Sequence, residues 1–199
     1  GTPYSAASLV NALRVANVRI YNRAQVDESC ESMGTTAVML HYDEDGQMVI
    51  AHVGDSRCYR LREGELQQLT EDHSLAREMS RIMDVTEADA QAHVGSHIIL
   101  RALGTEDDVE VDVQRQRPML GDVYLLCSDG LTDVVDDATL ARMMSTTVND
   151  PDSTAQALVQ AANDGGGHDN ISVVLVCVVP DGPSKSDEDT ATDIEGVVP

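Results

Sequence analysis

The chain has 199 residues, enough for one domain of ordinary size, and its 42% apolar and 24% charged content is that of a globular protein. Thirteen Lys and Arg stand against 35 Asp and Glu, a formal net charge of −22. That excludes a nucleic-acid backbone or an anionic lipid surface as main partner, because both are held by basic clusters.

No apolar run approaches the ~20 residues of a membrane-spanning helix, and no stretch has the layout of a signal peptide. The four cysteines, Cys30, Cys58, Cys127 and Cys177, form no C-x-x-C pair, which argues against a zinc site. Cys127 and Cys177 sit in apolar runs, as small hydrophobes do. The expected location is the reducing cytoplasm. With no Phe and no Trp, the core falls to Leu, Val, Ile, Ala and eight Met.

Leu9, Leu13, Ala16 and Ile20 share one face of a helix predicted from about Ser5 to Gln25. Gly34–Tyr42 reads as a strand and Asp43–Gly46 as a turn. Asp43 and Asp45 resemble the start of a calcium loop, but Gly54 stands where its bidentate acid belongs, so the turn is preferred. Met48–Val53, Arg57–Leu61 and Leu66–Leu69 are closely spaced strands and imply antiparallel pairing. Ser74–His93 is helical and polar, with Thr86 as an N-cap. Val109–Gln114 and Asp122–Cys127 are strands. Asp137 is placed to cap a helix through Met144, and Ser153 with Gln156 to cap one ending near Asp164. Gly165–Gly167 stops that helix, and Ile171–Val179 reads as a strand buried on both faces. Residues 180–199 hold six acids and one Lys and read as an acidic, disordered tail or linker after a domain of residues 1–179. Runs of strands separated from runs of helices give an α+β class with mostly antiparallel sheet.

Three acidic motifs stand at strand ends: Val53-Gly-Asp-Ser-Arg57, Tyr124-Leu-Leu-Cys-Ser-Asp-Gly130 and Gly166-Gly-His-Asp-Asn-Ile171. A carboxylate on a rigid strand end, beside glycine that admits close approach, suits a hard cation such as Mg²⁺ or Mn²⁺. Each motif alone also reads as an ordinary turn. Gly54-Asp-Ser56 resembles an esterase nucleophile block but lacks a downstream Asp-x-x-His, so it is taken as a turn between strands. His73 fits a hydrogen-bonding role in its loop better than that of a proton donor. The three glycines at 165–167 lack the Lys and Ser/Thr of a phosphate-binding loop.

Six blocks occur in order: Gly34-Thr-Thr-Ala37, Val53-Gly-Asp-Ser-Arg57, Leu69-Thr-Glu-Asp-His-Ser74, Leu100-Arg-Ala-Leu-Gly104, Leu126-Cys-Ser-Asp-Gly-Leu131 and Gly166-Gly-His-Asp-Asn-Ile-Ser-Val-Val174. Together they resemble the metal-dependent serine/threonine protein phosphatases, the type 2C family and particularly its bacterial branch, over about residues 5–179. The resemblance implies an α-β-β-α sandwich of two antiparallel sheets flanked by helices, with a two-metal site at one end. It implies Mg²⁺ or Mn²⁺ cations that activate a water for in-line attack on phosphorus. The matching metal ligands are Asp129 and Asp169, with Asp72 as ligand to a third, weaker cation shared with Asp129. Residues 76–97 match a mobile flap beside the site. The implied substrates are proteins phosphorylated on serine or threonine by bacterial-type kinases. The family pattern opens with an Arg, an Asn-Glu-Asp and an Asp-Gly-x-Gly-Gly, none of which occurs in this chain. The expectation is therefore an N-terminally incomplete domain, a fragment of a phosphatase. The alternative is a catalytically silent phosphatase-like binding or regulatory module.

Overall fold

The computed structural model describes residues 6–94, 98–147 and 150–180. Its elements are α1 (Ala6–Val26), β1 (Ala37–Tyr42), β2 (Met48–Val53), β3 (Arg57–Arg62), β4 (Glu65–Gln68), α2 (Leu75–Met83), α3 (Glu87–Val94), β5 (Asp112–Gln116), β6 (Val123–Cys127), α4 (Asp129–Thr132), α5 (Asp137–Met144), α6 (Pro151–Asp164) and β7 (Val173–Cys177). They build two antiparallel sheets, ordered β1-β2-β5 and β4-β3-β6-β7.

Period-two alternation explains the layering. Every residue of β2 is buried. Val49, Ala51 and Val53 pack with Leu9 and Leu13 of α1. Met48 and Ile50 face the other way and meet Cys58 and Tyr124 of the second sheet. On the far side of that sheet, Tyr59, Leu125 and Cys127 pack against Leu140, Met144 and Leu158 of α5 and α6. The order is helix, sheet, sheet, helix, as the resemblance implies. With no Phe or Trp, Tyr59 and Tyr124 are the largest fully buried side chains. Each buried Leu, Ile or Val contributes about 1.5–3 kcal/mol.

Several boundaries differ from the sequence expectation, each for a local reason. The helical stretch after Ser74 is two helices, because Asp84 takes a left-handed φ of 54° and closes α2. Thr86 does cap the second, its Oγ1 accepting from the Asp89 amide. Asp136, not Asp137, caps α5, accepting from the Thr139 amide at 2.8 Å. Asp150 caps α6 in place of Ser153, which is itself the donor to Asp150 at 3.0 Å, with Pro151 in the first turn. The segment from Val109 is extended, but ladder pairing with β2 starts only at Asp112. β7 is a strand covered on one face, with Val174 56% exposed, rather than one buried on both faces. The predicted tail falls almost wholly outside the described residues, which end at 180.

Candidate functional site

The buried strand β6 delivers Asp129 to one end of the sandwich. Ser128 then ties this strand end to the approach of β7. Its amide donates to the Ser172 carbonyl at 3.2 Å, its hydroxyl donates to the Asn170 carbonyl at 2.9 Å, and the Ser172 amide donates back to that hydroxyl at 3.0 Å. Gly130 permits the approach: a Cβ there would lie 2.6 Å from the Asn170 oxygen. Asp129 and Asp169, far apart in sequence, thus stand on adjoining backbone. Asp129 Oδ1 accepts from the Gly130 amide at 2.9 Å and Asp169 Oδ1 from the Asn170 amide at 2.6 Å. No donor among the described residues reaches the second oxygen of either carboxylate.

A third carboxylate feels the Asp129 charge. Asp55 sits in the β2–β3 turn and is 8% exposed. Its backbone is sharply bent, because Gly54 has a φ of +103° and a Cβ there would fall 2.4 Å from the Thr36 methyl. Among the described residues, the Asp55 carboxylate meets no hydrogen-bond donor beyond its own amide. Burial pushes its pKa up to about 6, the Asp129 charge adds to the rise, and Asp72 contributes further. Sequence reasoning gave this residue to a turn. The available signal was that the preceding strand, Met48–Val53, carries no Lys, Arg, Asp or Glu and is buried throughout, so the turn that follows it starts inside.

Asp72 is placed differently. Arg57 Nε lies 3.0 Å from each of its oxygens, Arg57 Nη2 lies 2.7 Å from Oδ2, and Gln68 Nε2 lies 3.0 Å from Oδ1. The pair is buried, with side-chain exposures of 18% for Arg57 and 5% for Asp72. Arg57 Nη1 also donates to the Tyr59 hydroxyl at 3.0 Å. A cavity of about 670 Å³ opens beside these groups and is lined by Arg57, Gln68, Gly130, His168 and Asp169, among others.

Among the described residues, the one group of three His, Cys, Asp or Glu side chains whose ligating atoms lie within 4.8 Å of one another is His52, His73 and Asp112. The two imidazoles stack with centroids 4.7 Å apart. His73 Nδ1 accepts from the Gly54 amide at 3.0 Å, so its proton is on Nε2, facing Asp112. His52 Nε2 bonds the Glu71 carbonyl at 2.9 Å. Arg101 fills the space a cation would need, with Nη1 at 2.7 Å from Asp112 and 3.1 Å from His73 Nε2. Burial, with His52 and Arg101 nearby, lowers the His73 pKa and keeps it neutral. This group is a closed hydrogen-bonded cluster.

Asp129 and Asp169 are the opposite: hard oxygen donors, incompletely satisfied among the described residues, on adjoining strand ends. They fit hard divalent cations, which take carboxylates and fill their remaining positions with water.

Residues 5–87 match the family described as Protein phosphatase 2C. The chain is 39% identical over 170 residues to the serine/threonine phosphatase stp of Listeria innocua, covering 84% of this chain and 66% of that protein's length. Among solved structures, the Mycobacterium tuberculosis serine/threonine phosphatase PstP/Ppp superposes with a TM-score of 0.80 at 33% identity, over 87% of this chain and 72% of that one. The catalytic domain of PstP in complex with two manganese ions gives a TM-score of 0.74 at 34% identity, over 87% and 71%.

Proposed function

The chain belongs to the protein phosphatase 2C family, which is metal-dependent, and on that footing we propose that the protein is a serine/threonine phosphatase that hydrolyses phosphoserine and phosphothreonine on proteins. The observation that carries the reading is that Asp129 and Asp169, far apart in sequence, are brought onto adjoining backbone at one sandwich end, each carboxylate accepting only from the residue that follows it among the described residues. Asp129 and Asp169 hold the catalytic Mn²⁺ or Mg²⁺. When bound, these cations supply charge neutralisation and an activated water for attack on the phosphoester.

The chain's own residues do the rest. Ser128 and Gly130 fix the two carboxylates relative to each other, and the adjoining cavity admits the phosphorylated side chain. For the weaker, third cation the ligands are Asp72 and Asp129. Asp72, the ligand expected from sequence, would have to loosen its hold on Arg57 to bind a metal. Substrates are phosphorylated proteins, met in the cytoplasm, and residues 1–179 belong to one phosphatase domain that lacks the Asp-Gly-x-Gly-Gly segment here, followed by an acidic tail or linker. No helix among the described residues is long and apolar enough to cross a membrane.

In the whole protein, Asp129→Asn is expected to lower Mn²⁺-dependent hydrolysis of a phosphothreonine peptide by about a thousandfold or more, with the fold intact. Turnover within tenfold of the parent overturns the assignment. Calorimetry separates the ligands: Asp169→Ala is expected to remove the tightest Mn²⁺ and Asp72→Asn only the weaker, third one. Residues 1–199 alone contain no Asp-Gly-x-Gly-Gly. They are expected to bind fewer than two tight Mn²⁺ and to turn over phosphopeptide near background.

A further inference from the structure

The acids assigned to cations differ in what holds them before a cation arrives. The Asp129 and Asp169 carboxylates each accept only from the residue that follows, among the described residues. A carboxylate offers about four acceptor positions, two on each oxygen. On Asp72 all of them are taken. Oδ1 faces Arg57 Nε and Gln68 Nε2, both at 3.0 Å, and Oδ2 faces Arg57 Nε at 3.0 Å and Arg57 Nη2 at 2.7 Å. A cation can reach this carboxylate only if a protein donor leaves it.

We propose that Arg57 is an internal competitor of the third cation: its guanidinium holds the Asp72 oxygens that the cation needs, and the cost of displacing it sets how weakly that cation binds. The proposal rests on the reading of Asp72 as a third-cation ligand given above, and it names the group that must leave.

Charge selects Arg57 over Gln68 as that group. A divalent cation and a guanidinium on one buried carboxylate repel each other, and the repulsion is poorly screened where water is scarce. Gln68 is neutral, and its Nε2 also donates to the Thr70 carbonyl at 2.9 Å, which keeps it in place. Arg57 has somewhere to go. It lines the cavity of about 670 Å³, whose wall also carries Asp133 and Asp137. Its Nη1 is held by the Tyr59 hydroxyl at 3.0 Å, a contact about which the guanidinium can turn. Asp72 and Asp129 stand near enough to each other for both charges to raise the Cys127 thiol. The guanidinium therefore occupies the site when metal is scarce and yields it when metal is abundant.

Mn²⁺ titration of the whole protein by calorimetry tests the competition. Arg57→Gln is expected to tighten the third Mn²⁺ about tenfold or more, because it removes the charge and the fork together. Arg57→Lys keeps Asp72 paired with a cation, which protects the fold, but an ammonium cannot cover both oxygens, so the gain is expected to be about fourfold. Gln68→Ala should change the third affinity by less than about twofold. In the parent, the Arg57 Nε–H proton resonance is expected to exchange with solvent at least about tenfold faster once Mg²⁺ fills the third site. If neither Arg57 variant binds the third Mn²⁺ more tightly, or if the Arg57 Nε–H stays protected as that site fills, the proposal is overturned. If Asp72→Asn binds as many Mn²⁺ as the parent, the reading of Asp72 as a ligand fails, and the proposal falls with it.

Discussion

The two ends of β6 carry the same kind of side chain in opposite states. Asp122, at its start, is 1% exposed. Arg62 of the adjacent strand donates to both its oxygens at 2.7 and 2.6 Å, and the Met119 amide adds a third bond at 2.8 Å. Burial disfavours its charge, but the Arg62 hydrogen bond and the Met119 amide outweigh that and hold its carboxyl below the usual range. Asp129, roughly 20 Å along the chain, has one amide donor, and its neighbour Asp55 is driven the other way. One strand thus separates an acid that is fully paired by the fold from acids that the fold gathers and leaves short of positive charge. The first state serves stability; the second costs stability and fits a cation-binding role.

If that contrast is electrostatic, removing the acids should have opposite effects at the two ends. Asp122→Ala strands the Arg62 charge over a buried position and should cost about 3–5 kcal/mol in urea unfolding, with Mn²⁺ affinity unchanged. A loss below about 1 kcal/mol would mean that the two ends do not differ as described. Asp55→Asn should stabilise the cation-free protein at pH 7 by up to about 3 kcal/mol. The sign follows from the folded pKa of about 6 lying above the unfolded value. The folded state binds the extra proton, so the favourable contribution is present near pH 4 and is lost as pH rises through 6. Urea midpoints taken from pH 4 to 7, with and without Mn²⁺, test this. A parent protein without that fall, or a fall that persists in Asp55→Asn, refutes it. Gly130→Ala sharpens the contrast with the smallest stability effect, about 1–3 kcal/mol, because its Cβ presses on the Asn170 carbonyl. It should weaken the Asp169-dependent Mn²⁺ about tenfold and leave the Asp122 end intact.

The same contrast explains what the sequence could and could not show. The layer order was legible because β2 and β6 are apolar runs and α1 carries an apolar stripe. The nearness of Asp129 and Asp169 to strand ends was legible because each follows or precedes an apolar strand beside glycine. Asp55 was not, because Gly-Asp-Ser between strands has the composition of any tight turn, and its burial comes from long-range contacts such as Thr36 against Gly54. The pairing of Asp72 with Arg57 was not legible, because the two meet only when β3 lies beside the strand that leads to residue 72. The caps of α5 and α6 slipped by one and three residues because several acids compete at each start, and backbone geometry chooses among them.

Tyr59 and Tyr124 are each tethered to one of these ends. Arg57 donates to the Tyr59 hydroxyl, and the Tyr124 hydroxyl lies 3.4 Å from Asp122. In a chain without tryptophan, near-ultraviolet absorption comes chiefly from tyrosine, and a ring's band moves with its dielectric surroundings. The molecule therefore carries a built-in optical label at each end of β6. Tyr59→Phe silences the cation end and Tyr124→Phe the other, so difference spectra recorded during metal titration or unfolding can be assigned to one end without any added dye.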